Sequence, residues 1–365
     1  MDKLRVALLF GGRSSEHSIS CATAGGVLGA LDRDRFEVIP VGITRDGAFV
    51  LESDDPGRFA LDPAHLPEVV DNGTRVRWPE SAASRELRVA GADGSGERSL
   101  GDVDVVFPIL HGRFGEDGTV QGLLELVGLP YVGNGVLASA IGMDKHATKT
   151  VLEGAGIAVA PWVTLTHQAL EADPELWDRR VRALGLPAFV KPARAGSSVG
   201  VTKVSDWSEL DAALEVAFAE DRTVLVEQAV VGRELEVAVL EGRPGEGVRV
   251  SVAGEIVVSG RDFYDFEAKY LDAPGVELVC PADLGDGELF ELQRVARRAF
   301  EALGGEGLAR VDVFLTDEGY VVNEVNTMPG FTPISMFPTC WLNSGLAYPE
   351  LVAELIEVGR LRGAR

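Results

Sequence analysis

Arg310-Val-Asp-Val-Phe-Leu-Thr-Asp-Glu-Gly-Tyr-Val-Val-Asn-Glu-Val-Asn326 reads as two alternating strands joined at Asp317-Glu318-Gly319. A loop of that composition suits a type I turn closed by a glycine in the left-handed region, a common three-residue hairpin connection. With Thr316 and Tyr320 flanking the loop, the register places Asp312 opposite Glu324 and Arg310 opposite Asn326. Strand side chains alternate faces, so these four polar residues share one face. Val311, Val313, Leu315, Val321 and Val325 are expected on the other. Like charges directly opposite in a sheet destabilise it. Two carboxylates and an amide converging there suit Mg²⁺, which takes oxygen ligands and bridges substrate phosphates. The alternative is a solvated face with a surface ion pair. The apolar neighbours and the following run Thr327-Met-Pro-Gly-Phe-Thr332, unlike surface filler, favour the cation.

At 365 residues the chain has room for two or three domains, each with its own core. Hydrophobic content of 46% and charged content of 25% are ordinary for a globular protein. A net charge of −23 argues against a broad nucleic-acid or anionic-membrane surface. Any phosphate ligand needs local cations, and lysines are few: Lys3, Lys145, Lys149, Lys191, Lys203 and Lys269. A preference for arginine explains their scarcity but not their placement. Cys21, Cys280 and Cys340 are widely spaced and odd in number, which is neither a disulfide framework nor a zinc pattern. The amino terminus runs almost at once into a strand with no leader pattern, and no stretch of transmembrane length is free of charge. A cytoplasmic location is expected.

Along the chain, Leu4–Phe10 is an apolar strand ending in Gly11-Gly12, followed by a helix from Ser18 and a second strand over Phe36–Ile43. That opens an α/β unit without the G-x-G-x-x-G fingerprint. Ligands of open α/β sheets bind beyond the carboxyl ends of strands, which brings Glu16 and His17 to a candidate site; Glu16 also fits a first-turn helix carboxylate. Residues 44–100 are polar, with short strands near Arg75–Trp78 and Glu86–Ala90, and read as an elaboration of the first domain. Val103–Leu110 is a buried-type strand feeding His111-Gly-Arg-Phe-Gly-Glu-Asp-Gly118, with a helix over Thr119–Val127. Helices follow over Val136–Ile141 and Lys145–Glu153, then a strand near Trp162–Leu165.

Pro187–Val204 reads as a hairpin whose tip, Gly196-Ser-Ser-Val-Gly200, offers amides and two hydroxyls to phosphate oxygens, with Lys191 on the incoming strand. A Walker A loop is excluded because neither its Gly-Lys-Ser/Thr nor its helix is present. Glu227 and Glu234 bracket a strand connection and suit either an adenine amino group and a ribose or turn solvation. Val248–Val258 is an alternating strand, Arg261–Tyr270 a loop of aromatics and charges, and Glu288–Leu303 and Leu346–Val358 are amphipathic helices.

Taken in order, Gly11-Gly-Arg-Ser-Ser-Glu16, His111-Gly…Gly115-Glu-Asp-Gly118, Gly142-Met-Asp-Lys145, Lys191-Pro…Gly196-Ser-Ser-Val-Gly200, Tyr264-Asp-Phe-Glu-Ala-Lys-Tyr270, Arg310-Val-Asp312 and Glu324-Val-Asn-Thr-Met-Pro-Gly330-Phe span nearly the whole chain. Each is weak alone. The ordered set resembles the ATP-grasp superfamily, and more closely the D-alanine–D-alanine ligase family. The resemblance implies an α/β fold with α+β elements. Its parts would be an amino-terminal substrate domain over 1–132 with an insertion at about 44–100, a central lid over 133–226 and a carboxy-terminal metal-binding domain over 227–365. It implies ligation of two D-alanines with ATP through a D-alanyl phosphate, supplying peptidoglycan precursors, by a homodimer.

The same resemblance assigns residues. Lys145, Lys191, Ser198, Glu227, Val230, Glu234 and Lys269 would bind ATP, and Asp312, Glu324 and Asn326 two Mg²⁺ or Mn²⁺ ions. Glu16 would orient the first D-alanine's amine, with Ser197 and Tyr270 hydrogen-bonded to it, while Arg310 and the Gly330 backbone would stabilise the oxyanion. His111 and Ser335 would help place substrate carboxylates. Gln228 departs from the family, whose members often carry lysine there, and Lys269-Tyr270 favours an amino acid over a hydroxy acid as nucleophile.

Overall fold

The computed structural model describes residues 3–62, 65–91, 96–258 and 275–363. β1 (Leu4–Gly11) is an apolar run buried over its last six residues, the pattern of a strand covered on both faces. It pairs in parallel with β2 (Phe36–Ile43), whose outer edge carries the antiparallel β3 (Phe49–Leu51). The elaboration over 44–100 contributes β4 (Arg75–Arg77), β5 (Glu86–Ala90) and β6 (Arg98–Asp102), a separate antiparallel sheet. β7 (Val105–Ile109) then returns to the free edge of β1 in parallel, giving the order β3-β2-β1-β7. α1 (His17–Ala30) covers one face through Cys21, Ala24, Val27 and Leu28. α2 (Thr119–Leu126) covers the other through Val120 and Leu124.

α3 (Val136–Met143) and α4 (Lys145–Gly154) come next, the latter capped by the Asp144 side chain. Leu152 and Ile157 enter the core of the carboxy-terminal sheet, while His146 and Lys149 reach the central sheet at Trp162, Thr164 and Glu227. The central sheet holds β8 (Trp162–Thr166), β9 (Ala188–Pro192), β10 (Thr202–Val204) and β11 (Thr223–Gln228) in the order β10-β9-β11-β8, all antiparallel. α5 (His167–Ala172), α6 (Pro174–Arg182) and α7 (Leu210–Glu220), which the sequence pattern does not single out, accompany it, and Val181, Ala213 and Ala217 enter its core.

β12 (Arg233–Leu240), β13 (Arg249–Val258), β14 (Val276–Val279), β15 (Leu308–Thr316) and β16 (Gly319–Asn326) form the carboxy-terminal sheet, ordered β14-β13-β12-β15-β16. α8 (Asp286–Ala302) covers one face. α9 (Met336–Asn343) and α10 (Tyr348–Arg362) cover the other and reach back to the amino-terminal sheet.

The β15–β16 ladder pairs Arg310 with Asn326 and Asp312 with Glu324, as expected. The route to that register differs. Thr316 pairs with Gly319, so the turn is one residue shorter than expected, and a bulge at Asn323 restores the count before Glu324. Between bulge and turn the faces are exchanged. Val322, opposite Val313, is buried in the core, and Val321 is not, contrary to the expectation from an unbroken ladder. A one-residue slip in a strand reverses every side chain, and the bulge confines that slip to one end.

Phe331 is fully buried and joins the amino- and carboxy-terminal parts. Its ring meets Phe107 at 6.1 Å, Phe337 at 5.7 Å and Tyr348 at 5.6 Å between centroids, and the Tyr348 hydroxyl donates to its carbonyl at 2.7 Å. Phe331→Ala is therefore expected to destabilise the protein by about 3–5 kcal/mol in denaturant unfolding. A loss below about 1 kcal/mol would show that the two parts do not share this core.

Candidate active site

The end of the β15–β16 hairpin away from its turn is a charged cluster enclosed by apolar neighbours. The Arg310 guanidinium grips both carboxylate oxygens of Asp312 at 2.7 Å, and its Nη2 lies 3.2 Å from Glu236. Asn326 donates to Asp312 Oδ2 at 2.9 Å. Glu236 lies opposite Asp312 on the neighbouring β12, so a third carboxylate joins Asp312 and Glu324. Sequence reasoning stopped at Glu234; the alternation Glu234-Leu-Glu236 was the signal that puts both on one face. Burial raises Asp312 to a pKa of about 7, with Glu236 and Glu324 adding to the rise and Arg310 opposing it. Burial disfavours the charge on Arg310, but Asp312 and Glu236 outweigh it and hold the guanidinium charged. Glu236 and Asp312 are buried beside the Arg310 guanidinium and Glu324 is half-buried opposite Asp312. With the amide oxygen of Asn326, the donor set fits hard divalent cations.

The second cluster forms where β1 and β7 end. Gly11 and Gly12 both have positive φ, and a Cβ at Gly11 would collide with the carbonyl of Ile43. This turn presents Glu16, which is buried. His17 is turned inward instead, its Nδ1 2.6 Å from Gly12 O and its Nε2 accepting from Val69 N at 3.0 Å, so it serves the fold. The Gly196–Gly200 tip closes onto Glu16: Ser197 Oγ donates to Glu16 Oε1 at 2.5 Å. Ser197 and Ser198 adopt φ of 50° and 59°, a region L residues rarely hold without outside support. That support is visible. Lys145 Nζ donates to Ala195 O at 2.7 Å, and Arg194 is clamped by Asp221 at 2.9 and 2.6 Å.

His111 is buried between these clusters, with Nδ1 3.1 Å from Met328 O and Nε2 3.5 Å from Thr23 Oγ1. Burial lowers its pKa, against the pull of Glu16, so the ring is a neutral tie between β7 and the Met328 segment. Glu116 accepts from Gly112 N at 2.5 Å and Met328 N at 3.2 Å. Burial pushes it up to about 8, helped by Glu16 and Glu324, so it is mostly protonated at neutral pH. Ser335 stands at the amino end of α9 with its hydroxyl bonded to Thr332 instead of capping the helix, and that hydroxyl lies just beyond the space a Cβ on Gly330 would take.

The third cluster lies between the central and carboxy-terminal sheets. Glu227 is buried with one oxygen 2.8 Å from Lys191 Nζ and the other 2.8 Å from Lys149 Nζ. Burial opposes ionisation of Glu227, but Lys191 and Lys149 outweigh it and hold its pKa below the usual carboxylate range. Burial lowers Lys149, which Glu227 in turn keeps from losing its proton easily. Lys149 was legible only as one of six scarce lysines; its side chain is 2% exposed. Val230 and Glu234 follow Glu227 in sequence and are half-buried, as is Ser198 at the hairpin tip. Lys269 and Tyr270 lie outside the described residues. The structure thus assembles three clusters from the remaining expected residues and adds Glu236, Glu116 and Lys149.

Family models described as the D-ala D-ala ligase N-terminus and C-terminus match residues 5–134 and 151–357. A D-alanine–D-alanine ligase from Pseudarthrobacter chlorophenolicus is 52% identical over 98% of this chain and 94% of its own length. One from Kineococcus radiotolerans is 53% identical over 99% and 97%. Among solved structures, the VanG D-Ala:D-Ser ligase from Enterococcus faecalis matches with a TM-score of 0.83 at 34% identity, covering 98% of this chain and 100% of that one. The D-alanine–D-alanine ligase from Coxiella burnetii matches with a TM-score of 0.81 at 35% identity, covering 99% and 95%.

Glu116 yields a pH test. Its folded pKa of about 8 lies above the ordinary 4.5, so the folded state holds the proton more tightly. Its contribution to stability is full below the ordinary value and is lost as pH rises through about 8. Between those two values the loss is at most ~1.4 kcal/mol for each step of one in pH. Thermal unfolding from pH 5 to 9 should show Glu116→Gln gaining on the wild type as pH rises. Parallel curves would contradict the burial of an ionisable carboxyl here.

Proposed function

The chain belongs to the D-alanine–D-alanine ligase family, and from that membership we propose the role of each residue in the site. The reaction is ATP-dependent ligation of two D-alanines to D-alanyl-D-alanine through a D-alanyl phosphate, releasing ADP and phosphate and serving peptidoglycan synthesis. Asp312, Glu324 and Asn326 would hold two Mg²⁺ or Mn²⁺ ions, a role supported by the pairing of Asp312 with Glu324 and of Arg310 with Asn326 on one face of the hairpin. Such ions would supply charge neutralisation for phosphoryl transfer. Lys145 and Lys191 add positive charge beside the phosphates, Ser198 contributes from the lid, and Glu227, Val230, Glu234 and Lys269 take the adenine and ribose. Glu227 is held by Lys149 and Lys191, so its contact with adenine would share their hydrogen-bond network.

Glu16 accepts the amine of the first D-alanine, which directs that substrate's carboxylate toward the phosphates, and Ser197 and Tyr270 complete the group. The amine of the second D-alanine attacks the acyl phosphate. Arg310, fixed as a cation by Asp312 and Glu236, and the Gly330 N–H meet the oxyanion. His111 fixes the substrate loop, and Ser335 stands beside Gly330 for a carboxylate. The closed lid shields the acyl phosphate from water. The observation that carries this reading is the Ser197–Glu16 bond, which joins lid and substrate loop across 181 residues of chain.

No helix among the described residues is long and apolar enough to cross a membrane. A cytoplasmic location is supported by the three free cysteines. A homodimer is supported by apolar side chains left at the surface, Leu126 at 84% and Leu137 at 69% exposed.

Incubation with ATP, Mg²⁺ and D-alanine, followed by mass analysis, should give D-alanyl-D-alanine with D-alanine-dependent ADP release. A mixed product formed in preference with D-serine or D-lactate would reassign the second substrate, and ADP release independent of D-alanine would overturn the reading. Ser197→Ala should lower kcat/KM for D-alanine roughly 10- to 100-fold with the fold intact. Unchanged kinetics would remove the lid bond from the mechanism.

A further inference from the structure

Cys280 directly follows β14 at the edge of the carboxy-terminal sheet, and Cys340 lies in α9 packed over β12 and β13. Sixty residues apart in sequence, their sulfurs are 3.8 Å from each other. Cys340 is buried, while Cys280 is partly accessible. The Asn343 side-chain amide, one turn on from Cys340, donates to Cys280 Sγ at 3.7 Å. None of these groups has a part in the ligation chemistry.

We propose that Cys280 and Cys340 form a dithiol–disulfide redox site, oxidised by exchange with a low-molecular-weight disulfide, whose closure lowers turnover. The polarity of the pair suits the exchange. The Cys340 thiol and the Asn343 amide hold Cys280 below the ordinary thiol value against its burial, so Cys280 is the attacking thiolate. Hydrogen bonding to Cys280 and burial push Cys340 well above it. Cys280 attacks the small disulfide, forming a mixed disulfide and expelling one thiolate. The negative charge that kept Cys340 protonated is then gone. Cys340 loses its proton to solvent, attacks the Cys280 sulfur and expels the second thiolate. Two electrons pass to the small disulfide, which leaves as two thiols carrying the two protons.

Closure reaches the active site through packed contacts. A disulfide brings sulfurs to about 2.05 Å, so α9 or the β13–β14 edge must shift. α9 has little slack, because Met336 already presses on Gly254. Its amino end carries Ser335 beside Gly330, and Cys340 Sγ touches the carbonyl of Glu236, whose side chain steadies Arg310. Arg310 is therefore reached from the pair through Glu236, and Gly330 through α9 and Ser335.

The full chain, exposed to glutathione disulfide, should show a Cys280–Cys340 cross-linked peptide by non-reducing mass analysis. Ligase turnover should fall about fivefold or more and recover with dithiothreitol. Cys21 should stay a free thiol, since burial pushes it up to about 12. Cys280→Ser and Cys340→Ala should keep reduced-state turnover within about twofold and lose the sensitivity, and either alone suffices should the other fail to fold. Only a glutathione adduct on Cys280, or a cross-link that leaves turnover unchanged, would overturn the proposal. The cross-link is read by mass and stands or falls independently of the reaction assigned.

Discussion

Carboxylates gathered on one face of a hairpin constrain the rest of this molecule. Glu236, Asp312 and Glu324 lie on neighbouring strands beside Arg310 and the Asn326 amide, and burial, with Glu236 and Glu324 adding to it, raises Asp312 to a pKa of about 7. Desolvated carboxylates of like sign are costly unless a cation completes the set. The sheet offsets this arrangement with an apolar opposite face, where Val311, Val313, Val322 and Val325 are buried in one core with α8. The bulge at Asn323 lets that core and the charged face coexist on strands whose turn is one residue short.

The Glu227 cluster has the opposite balance. Glu227 is shared by Lys149 and Lys191, so two cations surround one carboxylate. On the proposed roles, a polyphosphate with a divalent metal would bridge the lysines of one cluster and the carboxylates of the other. Between them and the substrate loop stands Glu116, protonated at neutral pH and bonded to the backbone on both sides. A neutral group there ties the Gly112 and Met328 backbones without adding a further charge beside Glu16 and Glu324. His111 serves the same joint from the end of β7.

How much of this was legible follows from how local each signal is. The Arg310–Asn326 and Asp312–Glu324 pairs were readable because alternation and hairpin register are local, although the turn was taken one residue too long and the bulge cancelled the error. Glu16, Lys191 and the Gly196–Gly200 tip were legible from strand ends and glycine turns; the Ser197–Glu16 bond joins the tip to Glu16, while Lys191 lies in the other cluster on Glu227. Glu236 was missed because its partner lies on a strand about seventy residues later, and Lys149 because nothing in a helical stretch announces burial against Glu227. Of the helices beside the central sheet, α5 is only six residues long and α7 is weakly amphipathic, whereas α6 carries a clear period and was missed all the same. Val321 and Val322 exchanged faces for a reason no alternation rule contains.

The account stands on the hairpin as a divalent-cation site, and a titration tests that most directly. Calorimetric titration of Mn²⁺ into the protein saturated with a non-hydrolysable ATP analogue should show two ions per chain, with at least one lost in Asp312→Asn and in Glu324→Gln while the nucleotide still binds. Wild-type stoichiometry and affinity in both variants would show that the carboxylates of this hairpin do not hold the metal.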